Sequence, residues 1–464
     1  MSIATELTNL TNNITSAYNA INTKGGTLPA NKNTANLANA IDSIPSGGSA
    51  EVVNGIIANF KASTSTVDTN TFVEFVNSIT SGTNTRLSTE TDYGAYISAV
   101  ALDSTRVFIA HTSGSSNRLS AMVCTISGST ITAGTDVQLS SVSNSGAGFC
   151  AILIETDKVF IAHRNGSYLY GLICTISGTT ITAGTDTQLS SGLSSYQYAS
   201  AVKLDSTRVF IAHRNNEDFY GLVCAISGTS ITAGTDTKLL TGGYKGISAI
   251  LTDTDRVFVA HQSNRGSYLS AMVCTISGNT VTAGTDVQLS SVSSSYVCSS
   301  LALLDAGRVF IAHAGTINSA YYFYGTVCTI NGTTITAGTD IQLSESTVGL
   351  QVFATNAVRL AANKVFASIC GASESFVATC LVVDKAVAKI SKKLVGAYGA
   401  MSSTLLDTDK VFLSYGYDSS RKYLYGIVYD ISDITIKEPS MVIQGLTKTA
   451  CTTSTAGEVW VLNI

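Results

Sequence analysis

Proline is nearly missing from this chain, with three in 464 residues, and tryptophan occurs once. Charged residues make up only 12% of the sequence. So little charge, beside an apolar fraction of 45%, excludes a disordered polyelectrolyte and requires a large buried core. No stretch approaches the ~18 consecutive apolar residues of a membrane-crossing helix, so membrane insertion is not expected. The net charge of −4 offers no basic face to displace phosphate counterions, which argues against nucleic acid as a partner. The opening MSIATELTNL has neither the positive start nor the continuous apolar stretch of a secretory signal. The expectation is a chain made and folded in a cytoplasm.

What the sequence has in abundance is repetition. The phrase VFIAH starts at Val107, Val159, Val209, Val257 (as VFVAH) and Val309, and weaker forms start at Val365, Val411 and Val459. A second phrase, ITAGTD, starts at Ile131, Ile181, Ile231 and Ile335, with VTAGTD at Val281 and a relative, ITSGTN, at Ile79. Between them each unit holds four apolar stretches rich in Val, Ile, Thr and Tyr, which suits strands, here named A to D. DSTR closes A to B and SGTS closes C to D, both short polar hairpin turns. Strand B is apolar at successive positions, so both its faces are buried. Four strands in about 50 residues, with one strand buried on both sides, predict a mainly β fold, a β-propeller of four-stranded blades.

The blade count follows from how the ends meet. Residues 70–88 read as a C–D pair and the last VWVLN phrase as an A–B pair. Joined, they complete an eighth blade, and eight is the expectation. The alternative is seven, with Val73 to Ser88 diverted into a neck. The domain plan is therefore residues 1–48 as a helical segment, 49–69 as a neck, linker or third helix, and 70–464 as the propeller. Within 1–48, Ile3, Leu7, Leu10, Ile14, Ala17 and Ile21 are spaced 4, 3, 4, 3, 4, the a/d seam of a helix. Such a short helix is marginal alone. It packs on the next helix, self-associates, or docks to a larger assembly.

The chemistry-bearing residues mostly repeat. Cys124, Cys174, Cys224, Cys274, Cys328 and Cys380 share one place in the repeat, so they read as buried thiols and not as a disulfide framework. His111, His163, His213, His261 and His313 each end a VFIAH strand, while Asp136, Asp186, Asp236, Asp286 and Asp340 end each GTD. A His–Asp hydrogen bond repeated around the ring accounts for both series more economically than a metal centre. No metal or other cofactor is expected. Acids in the A–B turns, such as Asp103, Asp205 and Asp305, read as turn caps beside Arg106, Arg208 and Arg308. Glycosidases need a carboxylate pair placed once, and the sialidase-type SxDxGxxW turn is missing, so the chain is not expected to be an enzyme.

Variation is concentrated in the B–C and D–A loops, which share one face. Tyr93, Tyr96, Tyr196, Tyr198, Tyr244, Tyr296 and Tyr398 lie in or beside D–A loops; Tyr168, Tyr268, Tyr321, Tyr322 and Tyr417 lie in B–C loops. Arg118, Arg164, Arg214, Arg265 and Arg421 add charged donors, and Glu217 and Asp218 are acids that do not repeat. Tyrosine with Ser, Gly and Asn is the mixture of recognition loops, so these residues are the ligand-binding candidates. Tyr170, Tyr220, Tyr324 and Tyr425, which recur before the core of strand C, read as packing residues.

The opening MSIATELTNL, followed by NTKGGTLP and LANAIDSIPSGG, resembles the N-terminal attachment segment of tail and baseplate proteins from phages and phage-derived tailocins of Gram-positive bacteria. The resemblance covers residues 1–48 and implies attachment to tail or baseplate proteins, a place in the tail of the particle, and host-surface recognition by the propeller. The expected function is thus a receptor-binding protein, with Ile3, Leu7, Leu10, Ile14 and Ile21 as the attachment or oligomer seam. The alternatives are a structural tail scaffold and a polysaccharide-cleaving tail protein.

Overall fold

The computed structural model describes residues 79–431 except for 89–95, 114–117, 144–147, 167, 191–198, 216–217, 264–266, 294–298, 350, 384–385, 395–396 and 418–422. Outside that span it describes five residues of the N-terminal segment (Ile14, Thr15, Ala17, Tyr18 and Asn36), all helical, and five strands. The rest of the expected seam, Ile3, Leu7, Leu10 and Ile21, lies outside the described residues. Two compact units result, Ile79–Ile431 and the two flanking segments together.

Ile79–Ile431 is a propeller of seven blades. Blade one shows the pattern: strand A is Ile97–Asp103, B is Arg106–Ser113, C is Arg118–Ser127, and the outer strand D comes in two pieces, Thr130–Thr132 and Val137–Ser143, both paired with C. The innermost strands of the following blades are Cys150–Glu155, Ala199–Lys203, Gly243–Asp253, Ser299–Asp305, Val352–Ala361 and Ala397–Asp407. Neighbouring side chains on a strand point to opposite faces, and this explains the apolar run VFIAH. Val107 and Ile109 pack towards blade seven, and Phe108 and Ala110 towards blade two. All four are fully buried, each large one worth about 1.5–3 kcal/mol of burial. Seven apolar clusters result, one per blade interface, and the last joins blade seven to blade one through Leu406, Phe412 and Val428 against Val107 and Ile109.

The expected eighth blade does not form. The ITSGTN segment becomes the outer strand of the VFLSY blade: Ile79–Ser81 and Thr85–Arg86 pair with Tyr423–Ile431, in the register Ile79 to Ile431 and Arg86 to Tyr425. Blade seven is thereby closed by a strand from the other end of the ring. Blades seven and one then bond directly, Ser402 Oγ accepting from Ala99 N–H at 2.9 Å and Thr404 Oγ1 from Ala101 N–H at 3.0 Å, which leaves no place for another inner strand. The VWVLN phrase falls in Gly457–Leu462, part of a separate five-stranded sheet with Gly55–Phe60, Phe72–Val76, Thr435–Lys437 and Gly445–Thr447. Residues 55–60, left open between helix and neck by the sequence, are thus a strand.

The AGTD phrase marks the break in the outer strands of blades one to five. Gly184 lies so close to the neighbouring strand that a Cβ there would sit 2.5 Å from the Ile173 carbonyl oxygen, and its N–H donates to that oxygen at 2.9 Å. The C–D turns place Gly128, Gly178, Gly228, Gly278 and Gly332 at φ of 60 to 63°, a region glycine enters without steric cost.

Candidate functional site

Each inner strand starts on the face of the D–A and B–C loops and ends at a tight A–B turn. One position inside its start, seven equivalent residues form a belt around the axis: Ser98, Cys150, Ser200, Ser248, Ser300, Asn356 and Ser402. Ser98, Ser200 and Ser300 Oγ accept from the N–H groups of Ala151, Ala249 and Ala357 in the next blade, each at 3.0 Å. Cys150 is hydrogen-bonded to the Ala201 backbone, and Asn356 Oδ1 accepts from Ser403 N–H at 3.4 Å. Ser248 bonds the Ser299 hydroxyl at 2.8 Å. The belt is nearly uniform because one small polar group reaches a backbone group of the next blade at six of the seven junctions.

The preceding residue in each blade is different in nearly every copy: Ile97, Phe149, Ala199, Ile247, Ser299, Thr355 and Met401. All seven line one funnel on the axis, together with Tyr96, Gly148, Gly246, Phe353, Ala354 and Ala400; its volume is about 190 Å³. Register confirms the equivalence: Ile97, Ala199, Ile247 and Ser299 oppose the histidines of their B strands, while Thr355 opposes Ile369 and Met401 opposes Tyr415. Every described side chain in the lining is uncharged. The Thr355 hydroxyl is buried without a hydrogen-bond partner.

The sequence candidates are spread more widely than this funnel. Tyr96 lines it. Arg118, exposed, donates to Gln138 Oε1 at 3.1 Å, and Tyr168 is 43% exposed at the start of its C strand. Tyr268 and Tyr322 are half-buried, as are Arg164, which donates to the Gly166 carbonyl, and Arg214. Asp218, one of the two acids that do not repeat, is held by Lys238 at 2.6 Å and the Gly242 N–H at 2.9 Å, which keep its carboxyl below the usual range. Tyr321 is not displayed in a loop: it is buried in the core between blades five and six. The blade-five hairpin continues beyond it to a two-residue turn at Asn318 and Ser319, with φ of 49 and 67°, beside an exposed Ile317. Tyr244, Tyr398 and Tyr417 lie on strands whose side chains at those positions are not described. Tyr93, Tyr196, Tyr198, Glu217, Arg265, Tyr296 and Arg421 lie outside the described residues.

Behind the funnel stands a second tier of polar struts. The buried histidines reach the GTD acids in all five blades, from 2.8 Å at His163–Asp186 and His213–Asp236 to 3.1 Å at His111–Asp136 and His313–Asp340. Three of these acids also accept a serine hydroxyl from the preceding blade: Ser140 on Asp186, Ser190 on Asp236 and Ser290 on Asp340. The hydroxyl is thus directed at the carboxylate and not at the imidazole, which is the geometry of a strut. Burial opposes ionisation of Asp186 and Asp340, but the histidine and serine hydrogen bonds prevail and lower both carboxyls. Blade seven has Tyr415 and Asn84 in these places, joined at 2.7 Å. Tyr220 and Tyr324 stack on His213 and His313 at 5.9 and 5.7 Å between ring centroids, as packing residues.

On the opposite face, three of the A–B turns carry the same cap. Arg106, Arg208 and Arg308 donate through Nε to Asp103, Asp205 and Asp305 at 2.7–2.8 Å. Arg106 also donates to the Gly178 carbonyl of the next blade at 2.8 Å. The repeated thiols are buried, and burial pushes Cys124, Cys174, Cys224, Cys274 and Cys380 up to about 12.

The funnel ring does not stand out in the sequence, because its residues read as ordinary strand positions next to the more variable loops. Its signal is present nonetheless: within ISA, FCA, ASA, ISA, SSL, TNA and MSS, the middle position stays small and polar or nearly so, while the first wanders.

No family model matches the sequence, and no curated protein matches it. Among solved structures, the chain is similar to an ulvan lyase of a new polysaccharide lyase family, at 9% identity and a TM-score of 0.50 over 76% of this chain and 98% of the lyase chain. It is similar to a NanB sialidase from Streptococcus pneumoniae at 12% identity and 0.42, over 75% of this chain and 70% of that one. The six-bladed propeller lectin of Aleuria aurantia matches at 10% identity and 0.39, over 67% and 97%. At such identities the likeness lies in the fold. It corrects one expectation: a polysaccharide lyase, an enzyme, shares this fold, so the reading of the chain as not an enzyme is withdrawn. The likeness is to a β-propeller, and the sheet pairing gives this one seven blades.

Proposed function

We propose that this chain is a receptor-binding protein of a phage or tailocin tail, whose propeller recognises a bacterial surface glycan at the funnel face. Residues 1–48 would attach it to tail or baseplate proteins, which puts the chain in the tail of the particle. One observation carries the reading. Two adjacent rings of the same strands behave oppositely, the belt held nearly constant by its structural duty and the funnel ring carrying six residue types in seven blades. A lining freed from sevenfold repetition suits a ligand that has no such symmetry. Aliphatic and aromatic walls with a few placed hydroxyls are the usual lining of a small-ligand site, and several copies per particle would raise weak single-site binding through avidity. A polysaccharide is also what the lyase sharing the fold acts on by name.

The test is retention of the labelled full chain on envelope preparations from a panel of Gram-positive bacteria. Retention that periodate oxidation of the envelope removes, and protease treatment does not, is the expected result. Lack of retention on every envelope, with normal incorporation into tails, would overturn it in favour of a scaffold.

A further inference from the structure

We infer that the funnel takes the methyl-bearing end of an uncharged sugar, held by a hydrogen bond to Thr355; this rests on the glycan-binding reading above. Two hydroxyls stand in the varied ring. Ser299 is satisfied by Ser248 at 2.8 Å. Thr355 is 8% exposed and its Oγ1 has no partner, an arrangement that costs about 1–3 kcal/mol when left unmade. Folded proteins pair nearly all such groups, and among the buried side-chain groups of the described residues that lack a partner, Thr355 Oγ1 is the one on a residue that lines the funnel. In the structure Oγ1 is turned into the wall, and a single χ1 step, which exchanges the hydroxyl and methyl of a threonine without changing its volume, is the rearrangement by which it would meet a ligand.

The rest of the wall sets the class of ligand. Ile97, Phe149, Ile247 and Met401 supply apolar surface elsewhere in the lining, worth about 0.8 kcal/mol for each methylene-sized group buried. The lining side chains described are uncharged, so a carboxylate or sulfate entering here would lose hydration without compensation. At about 190 Å³ the funnel is smaller than the ~300–1,000 Å³ of drug-sized ligand sites, which fits one terminal group entering end-on better than a polymer segment lying across. A methyl beside a hydrogen-bonding atom, on a neutral sugar, meets all three conditions. Two sources supply it: an N-acetyl group and the methyl of a 6-deoxy sugar.

The experiment titrates the full chain with methyl glycosides by saturation-transfer NMR. N-acetylglucosamine and N-acetylgalactosamine form one arm, fucose and rhamnose the other, with glucose and glucuronate as controls. One arm should bind at least about fivefold tighter than glucose, with no binding of glucuronate. Thr355→Val should weaken that arm at least fivefold and Thr355→Ser should keep it within twofold, with unchanged circular dichroism for both. Ala199→Phe, which fills the funnel, should abolish it. Equal binding of glucose, or an unaffected Thr355→Val variant, overturns the inference. If Ala199→Phe is retained on envelope glycan as well as the unaltered chain, the inference fails and the glycan reading stands. If the unaltered chain is not retained at all, the glycan reading itself fails.

Discussion

Adjacent blades three and four provide a matched pair for measuring what a strut between blades contributes. Asp236 accepts from His213 at 2.8 Å and from Ser190 of blade two. Asp286 reaches His261 at 2.9 Å, but the residue in the place of Ser190 is Leu240, so no hydroxyl arrives. The two acids are equally exposed, 27% and 29%, and both histidines are buried. Hydrogen bonds to a charged group contribute roughly 1.5–3 kcal/mol each, and partial exposure favours the lower end. Asp286→Ala should then cost about 1.5 kcal/mol and Asp236→Ala about 3 kcal/mol. For a unit of about 350 residues, the specific unfolding entropy converts each kcal/mol to about 1.4 °C. The expected falls in Tm are therefore about 2 °C and about 4 °C by calorimetry. Equal falls for the two variants, or a change below about 0.5 kcal/mol for Asp236→Ala, would refute the claim that the serine–aspartate–histidine relay ties one blade to the next.

Three further outcomes are expected. Gly234→Ala places a Cβ 2.2 Å from the Val223 carbonyl oxygen, and the strand must move to accept it; soluble yield and Tm should both drop, far more than for Gly278→Ala at an open turn. Asp205 is held at about 2: partial burial works against the charge, and the Thr207 and Arg208 hydrogen bonds outweigh it. Its folded value lies below the unfolded one near 3.9, so its contribution is complete above about pH 4 and lost as pH falls through 2; Asp205→Asn should flatten that part of the acid unfolding curve, by less than about 1 kcal/mol at this exposed turn. Iodoacetamide at pH 8 should leave Cys124, Cys174, Cys224 and Cys274 unmodified in the native protein and label them in urea, read by peptide mass mapping, since burial keeps these thiols protonated up to about 12.

The frame was legible in the sequence because it repeats under physical constraint. VFIAH declares a strand buried on both faces, GTD with a distant histidine declares a pair, and both are where they were expected. The blade count was not legible, because ITSGTN carries the chemistry of an outer strand without saying which blade it completes; Tyr415, which finds Asn84, held that information but breaks the histidine pattern. The funnel was hidden for a different reason. Ile97, Phe149 and Met401 look like ordinary strand residues, and only closure of the ring brings seven distant positions onto one axis. Blade six was legible only through its weak copy of the strand phrase at Val365: it lacks the His–Asp pair, and its unbroken outer strand, Ala386–Leu394, uses Lys389 and Lys392 to reach the Gln342 and Ile79 carbonyls on either side.

Sealing blade seven with residues 79–86 also sets a timetable for biosynthesis. That segment leaves the ribosome some 350 residues before its partner Tyr423–Ile431. At about 5–20 residues per second, it waits roughly 20–70 s with unpaired backbone groups, while six blades assemble beside it. A waiting strand is an invitation to wrong partners, so misassembly during translation should begin at this seam, and a circular permutant that carries Ile79–Arg86 directly after Ile431 would remove the delay.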